Sequence, residues 1–114
     1  MITIESLVLE SGRCPMQEFL DLLEPSAIAK IETLAELLRQ KGFLPFPLAR
    51  KLEGYSNLWE MRLTSRGQAL RVFYAYVAKG RVVLISGFKK KSQKTPTREL
   101  ERALNLLKFY GVNL

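Results

Sequence analysis

Three segments rich in β-branched and aromatic residues follow one another with almost no chain between them, and they limit the fold more than any other feature. Trp59, Met61 and Leu63 alternate with Glu60 and Arg62. Ala69 to Val77 contains Val72, Phe73, Tyr74 and Tyr76, and Arg81 to Phe88 contains the run Val82-Val83-Leu84-Ile85. Alternation with period two marks a strand with one buried face, and a short apolar run marks one buried on both. Arg66-Gly67 and Lys79-Gly80 supply the turns. Turns this tight join antiparallel neighbours, because a parallel crossover needs a dozen residues or more. The centre of the chain is read as an antiparallel meander.

Helices are expected on either side of it. Ile2 to Leu9 suits an opening strand, and Ser11-Gly12 turns the chain. Pro15 fits the first turn of a helix, where its missing N–H costs nothing, and Met16, Phe19, Leu20 and Leu23 follow at helical spacing. After Pro25-Ser26 a second stripe runs through Ile28, Ile31, Leu34, Ala35 and Leu38 and stops at Gly42. The two read as a helical hairpin. Phe43 to Leu48 has two prolines and reads as a loop, and Lys89 to Thr95 as a basic one. Thr95 as N-cap and Pro96 in the first turn then open a final amphipathic helix over Leu100, Ala103, Leu104 and Leu107, ending near Gly111. The expected fold is one α+β domain over 1–114, an antiparallel sheet with helices packed on one side.

Charge is segregated along this framework. The net charge is +7. Residues 1–60 hold nine acids and six bases, whereas residues 61–98 hold ten bases and no acid. A polyanionic partner is the reading of that asymmetry. The chain has no histidine and one cysteine, Cys14, so an intramolecular disulfide is excluded, and the commonest zinc ligand and the commonest general acid–base are both missing. There is no glycine-rich phosphate loop, nucleotide fingerprint or Ser–His–Asp set, so no cofactor and no metal are expected. Met1 to Glu10 carries two acids and no base, unlike a signal peptide, and no apolar stretch approaches the ~20 residues of a membrane span. The expectation is a soluble cytoplasmic protein.

Chemistry must then run on Arg, Lys, Tyr, Ser, Asp or Glu. If Met61 and Leu63 face the core, Glu60 and Arg62 face the other side of the sheet, and Arg71 shares its face with Ala69, Phe73 and Ala75. An arginine in so apolar a strand needs a partner. Either Glu60 pairs with it structurally, or it grips a phosphate from an exposed sheet face; the sequence leaves both open. Lys89-Lys90-Lys91 lies where the last strand ends, and three consecutive lysines cannot all point one way. Tyr55, in Gly54-Tyr55-Ser56-Asn57, and Phe88, at the strand end, are placed to stack on a base. Trp59, Tyr74 and Tyr76 are read as packing residues, and Cys14 as inert.

Lys51-Leu52-Glu53-Gly54, Leu58-Trp59-Glu60-Met61-Arg62, Leu70-Arg71-Val72-Phe73-Tyr74 and Gly87-Phe88-Lys89-Lys90-Lys91-Ser92-Gln93-Lys94-Thr95-Pro96 occur in this order, followed by Glu99-Leu100-Glu101-Arg102-Ala103. With this set the chain resembles the phage-derived, HigB-like branch of the RelE/ParE toxin superfamily, from about Pro15 to Tyr110. The resemblance implies a RelE-like fold, with two N-terminal helices packed on a small antiparallel sheet and a C-terminal helix. It implies a toxin that cuts mRNA in the ribosomal A site through attack of the ribose 2′-OH, contacts with rRNA, and a cognate antitoxin, often a helix-turn-helix protein. Arg71 matches the arginine that binds the reacting phosphate, Arg62 a basic residue facing the same cleft, and Lys89, Lys90 and Lys91 the basic or catalytic positions after the last strand, of which Lys90 and Lys91 are taken as catalytic. Lys89, Lys94, Arg66 and Arg81 are expected to hold RNA, with Tyr55 and Phe88 as aromatic contacts. Some HigB-like members use histidines, and this chain has none. Tyr110 stands where some members carry a functional tyrosine, but it reads as helical and receives no role. Two alternatives stay open: a translation inhibitor that acts by occupying the ribosome without cleavage, and a gyrase poison of the ParE type.

Overall fold

A computed structural model of the chain describes residues 1–91 and 94–111, so Ser92 and Gln93 of the basic segment lie outside the described residues. The elements run β1 (Thr3–Ser6), α1 (Pro15–Leu20), α2 (Pro25–Lys41), β2 (Ala49–Lys51), β3 (Leu58–Ser65), β4 (Gln68–Ala78), β5 (Arg81–Lys90) and α3 (Thr97–Phe109). The expected meander is β3–β4–β5, paired antiparallel throughout. Its first turn is Arg66-Gly67, both at positive φ (51° and 77°). That is the geometry whose twist suits a two-residue hairpin, and Gly67 adopts it without a Cβ clash. α2 ends on Gly42 in the left-handed conformation, with its N–H bonded to Leu38 O.

Three expectations need correction. The sheet is mixed, not antiparallel: its order is β1-β5-β4-β3-β2, and β1 pairs parallel with β5, Thr3 opposite Arg81 and Ser6 opposite Leu84. The long α1–α2 connection supplies the crossover reach that a short turn lacks. The helices do not share one side. Met16 and Phe19 of α1 and Ala27, Ile31 and Leu38 of α2 pack with Met61, Leu70, Val72 and Tyr74 on one face. Ala103 and Leu107 of α3 pack with Leu58, Phe73, Ala75, Val83 and Ile85 on the other. The meander is therefore apolar on both faces, as its near-continuous hydrophobic strands require. Finally, α1 and α2 pack on the sheet, α1 over β5 and α2 over β3 and β1, more than on each other.

β5 carries the irregularity that matters most. Tyr74 pairs with Leu84 but Phe73 with Ser86, so Ile85 is an extra residue, a β-bulge. Every side chain beyond it changes face. Gly87 now points at α1, where a Cβ would lie 2.2 Å from Phe19 Cδ2, so only glycine fits under that ring. Phe88 and Lys90 turn instead to the α3 face.

Candidate active site

Arg71, Arg62 and Lys90 meet at one end of the α3 face. Arg62 and Arg71 are direct cross-strand partners, Arg71 is opposite Phe88, and Ala69 is opposite Lys90. The edge strand β2 adds Arg50, which is opposite Glu60. Five residues beyond the end of β5, Thr95 closes the group. Like charges placed opposite each other on a sheet repel, so four cations here need a counter-charge or a ligand.

Glu60 is that counter-charge. Its side chain is 0% exposed. Oε2 accepts the Thr95 hydroxyl at 2.7 Å, while Oε1 lies 3.7 Å from Arg71 Nε and 3.9 Å from Arg50 Nη2. These two contacts are ion pairs without a hydrogen bond, and Glu60 Oε1 and Arg71 Nε are both buried without a hydrogen-bond partner. Arg71 is 8% exposed. Its Nη1 donates to Leu70 O at 2.8 Å and more weakly to Leu63 O at 3.4 Å. Nε and Nη1 are thus turned to the protein. Nη2 makes no hydrogen bond among the described residues and is the edge of the fork left for a ligand.

The environment favours an anion. Burial holds the Arg71 guanidinium below its usual range; Glu60 opposes that effect, and Arg62 and Arg50 add to it. The Lys90 ammonium is lowered in the same way, first by desolvation and then by Arg71, Arg62 and Arg50, again against the pull of Glu60. A phosphate arriving between them would relieve both. Lys90 makes no ion pair among the described residues, so its amine is available.

The remaining sequence candidates fall elsewhere. Lys91 is exposed just past β5, and Lys94 is exposed beside Thr95. Lys89 is opposite Leu70, which puts it on the α1/α2 face, where it lines a cavity with Arg66, Gln68, Leu22 and Ala27. Arg66 is held by Glu24 at 3.1 Å. Arg81 begins β5, nine residues from Lys90 and so roughly 30 Å away along the strand; it pairs with Glu5 and donates to Tyr110 Oη at 3.1 Å. Of the aromatic candidates, Phe88 is covered and Tyr55 is partly so. Phe88 is buried against Phe73, with ring centroids 5.4 Å apart, and Tyr55 is half-buried against the cluster around Leu52 and Leu58. Thr95 caps nothing: α3 starts from Pro96 without a side-chain cap, because the Thr95 hydroxyl is committed to Glu60.

Sequence reasoning missed Arg50 and Thr95 and treated Glu60 only as a possible partner of Arg71. β2 has three residues, too few for any period, and follows a proline-rich loop. The usable signal was Glu60 itself, an acid on the same sheet face as Arg71 and diagonal to it across the β3–β4 pair.

Among the described residues no group of three or more His, Cys, Asp or Glu side chains is placed to hold a metal, and no helix is long and apolar enough to cross a membrane. A comparison with curated proteins finds no match. Residues 18–108 match the family model described as phage derived protein Gp49-like (DUF891), and these residues contain every member of the cluster from Arg50 to Thr95. The chain belongs to this phage-derived Gp49-like family, a toxin-like family related to RelE and HigB.

Proposed function

We propose that the protein is the toxin of a toxin–antitoxin pair and cuts mRNA on the translating ribosome. The observation that carries this reading is the convergence of Arg50, Arg62, Arg71 and Lys90 around one buried carboxylate, with the Nη2 edge of Arg71 left unpaired. Such a site fits a phosphodiester. The ribose 2′-oxygen attacks phosphorus, the P–O5′ bond breaks, and the message is left with a 2′,3′-cyclic phosphate. Charge builds on the non-bridging oxygens in between, and fixed cations aimed at it do most of the work; one such donor is typically worth about 3–4 kcal/mol.

Lys90 is the residue we assign to the 2′-OH proton. With its pKa lowered, a larger fraction is neutral than in an ordinary lysine, and the neutral amine can accept that proton. The leaving 5′-oxygen takes its proton from water. No histidine is needed for this scheme. The ribosome would hold the message in line, so a small protein need supply only the phosphate clamp. Lys91 and Lys94 are proposed as contacts to RNA flanking the cut, and rRNA as part of the docking surface. A cytoplasmic site of action and a helix-turn-helix antitoxin, with acidic residues facing the same cations, complete the reading.

The test is cell-free bacterial translation of an end-labelled message with the purified protein. Fragments with cyclic-phosphate ends, formed only when ribosomes engage the message, are expected. Arrest of translation on intact message would favour inhibition by occupancy instead. DNA breaks with gyrase and intact message would favour a ParE-type poison.

A further inference from the structure

One buried group of the site takes no part in the chemical step. Glu60 is fully enclosed and cannot reach RNA, yet one of its oxygens has no hydrogen bond. A buried carboxylate left partly unsatisfied destabilises a fold, and a well-packed apolar side chain at such a position generally costs less. What the carboxylate supplies that a hydrocarbon cannot is charge at a defined point.

That point faces Arg71 Nε, beside the free Nη2. The guanidinium is planar, so two fixed edges determine where the third aims. Nη1 is tied to Leu70 O and Leu63 O, and Nε looks at Glu60 Oε1 across 3.7 Å. The other oxygen of Glu60 is tied to Thr95, which also lies 3.5 Å from Arg50 Nη2. One carboxylate therefore joins β2, β4 and the segment before α3.

We infer that Glu60 is a positioning residue: it orients the Arg71 guanidinium so that Nη2 meets the phosphate, and Thr95 holds the carboxylate in place for that purpose. The inference rests on the functional reading above for what the phosphate is, but the placement of Arg71 can be measured without it.

Glu60→Gln is the decisive variant. It keeps the shape and an acceptor for Thr95 and removes only the charge. Simple electrostatics predicts that removing an acid from a cationic site tightens binding to RNA. Positioning predicts that turnover falls anyway, roughly 10- to 100-fold, the effect of a misplacement of about 1 Å, while the affinity for ribosomes stays the same or rises. In an Arg71→Met background Glu60→Gln should have no further effect on turnover, because it acts through Arg71. A multiplicative loss there would mean that Glu60 has its own chemical role and would overturn the inference. So would wild-type turnover in Glu60→Gln.

The second readout is the Arg71 Nε–H signal in an arginine side-chain NMR spectrum, assigned by its loss in Arg71→Lys. It should be resolved and slow to exchange in the wild type, and averaged in both Glu60→Gln and Thr95→Val. An unchanged signal in Glu60→Gln overturns the inference. If the wild-type protein cleaves nothing, the functional reading fails while this measurement still decides the placement of Arg71.

Discussion

Replacing Arg71 by Met keeps the aliphatic stem and removes the charged fork, so the first consequence falls on Glu60. The carboxylate loses its 3.7 Å partner and keeps only the Thr95 hydroxyl and Arg50, whose side chain is half exposed and 3.9 Å away. Removing one member of a buried ion pair costs about 3–5 kcal/mol. Three features of this pair place it at or just below the lower end of that range. The contact is an ion pair without a hydrogen bond, Arg50 remains, and loss of Arg71 also relieves its repulsion with Arg62 and Lys90. A destabilisation of about 2–3 kcal/mol is expected, a large share of the roughly 5–15 kcal/mol typical of a domain. Glu60→Gln alone leaves Arg71 buried without its counter-charge and should cost about 1–2 kcal/mol. The double variant leaves neither charge stranded, so the two losses should fall short of additivity by at least about 1 kcal/mol. Urea unfolding followed by Trp59 fluorescence measures all three, since Trp59 sits edge-on to Tyr76 in the folded state, with centroids 6.4 Å apart. Strict additivity, or an Arg71→Met variant as stable as the wild type, would refute the claim that these two groups hold each other.

Other consequences follow from the same geometry. Lys90→Ala should abolish cleavage while Lys89→Ala leaves it near wild type, because neighbouring strand residues take opposite faces and the Ile85 bulge puts Lys90, not Lys89, on the α3 face; equal effects in a cleavage assay would contradict that assignment. Since Lys90 acts when neutral and its pKa is held below the usual lysine value of 10.5, the rate should rise with pH through a limb beneath that value. The limb should vanish in Lys90→Arg, and its survival there would assign it to another group. Gly87→Ala must push Phe19 and α1 off the sheet, so a loss of about 1–3 kcal/mol is expected in thermal or urea unfolding. Tyr74→Phe removes a buried hydroxyl that has no partner and whose pKa burial pushes upward, so the fold should be as stable or slightly more stable, and a loss above about 1 kcal/mol would mean that the hydroxyl is satisfied in solution.

Much of this was legible in the sequence where a long periodic element carried it. The faces of β3 and β4 followed from alternation, and with them Glu60 as a candidate partner of Arg71; that Arg62 faces the same cleft came from the family resemblance. α2 and its Gly42 stop were equally readable. What failed was local detail that only packing decides. A bulge at Ile85 leaves no trace in an apolar run, so nothing distinguished Lys89 from Lys90 or foretold that Phe88 would be covered. β1 was seen as a strand, but its parallel pairing with β5 depends on the crossover through α1 and α2. β2 was too short to show a period, which hid Arg50. Thr95 looked like a helix cap because Thr before Pro usually is one; the buried carboxylate competes for the same hydroxyl and wins.

The central claim is that the cations around Arg71 hold the phosphate at which mRNA is cut. It is tested most directly by mapping RNA 5′ ends in a translating bacterial extract with wild-type protein and with Arg71→Lys, which keeps the charge and loses the fork. The account predicts new ends within ribosome-bound codons for the wild type, absent without ribosomes, and reduced at least about a hundredfold for the folded variant. Equal cleavage by both proteins, or blocked translation with no new ends from either, would contradict it.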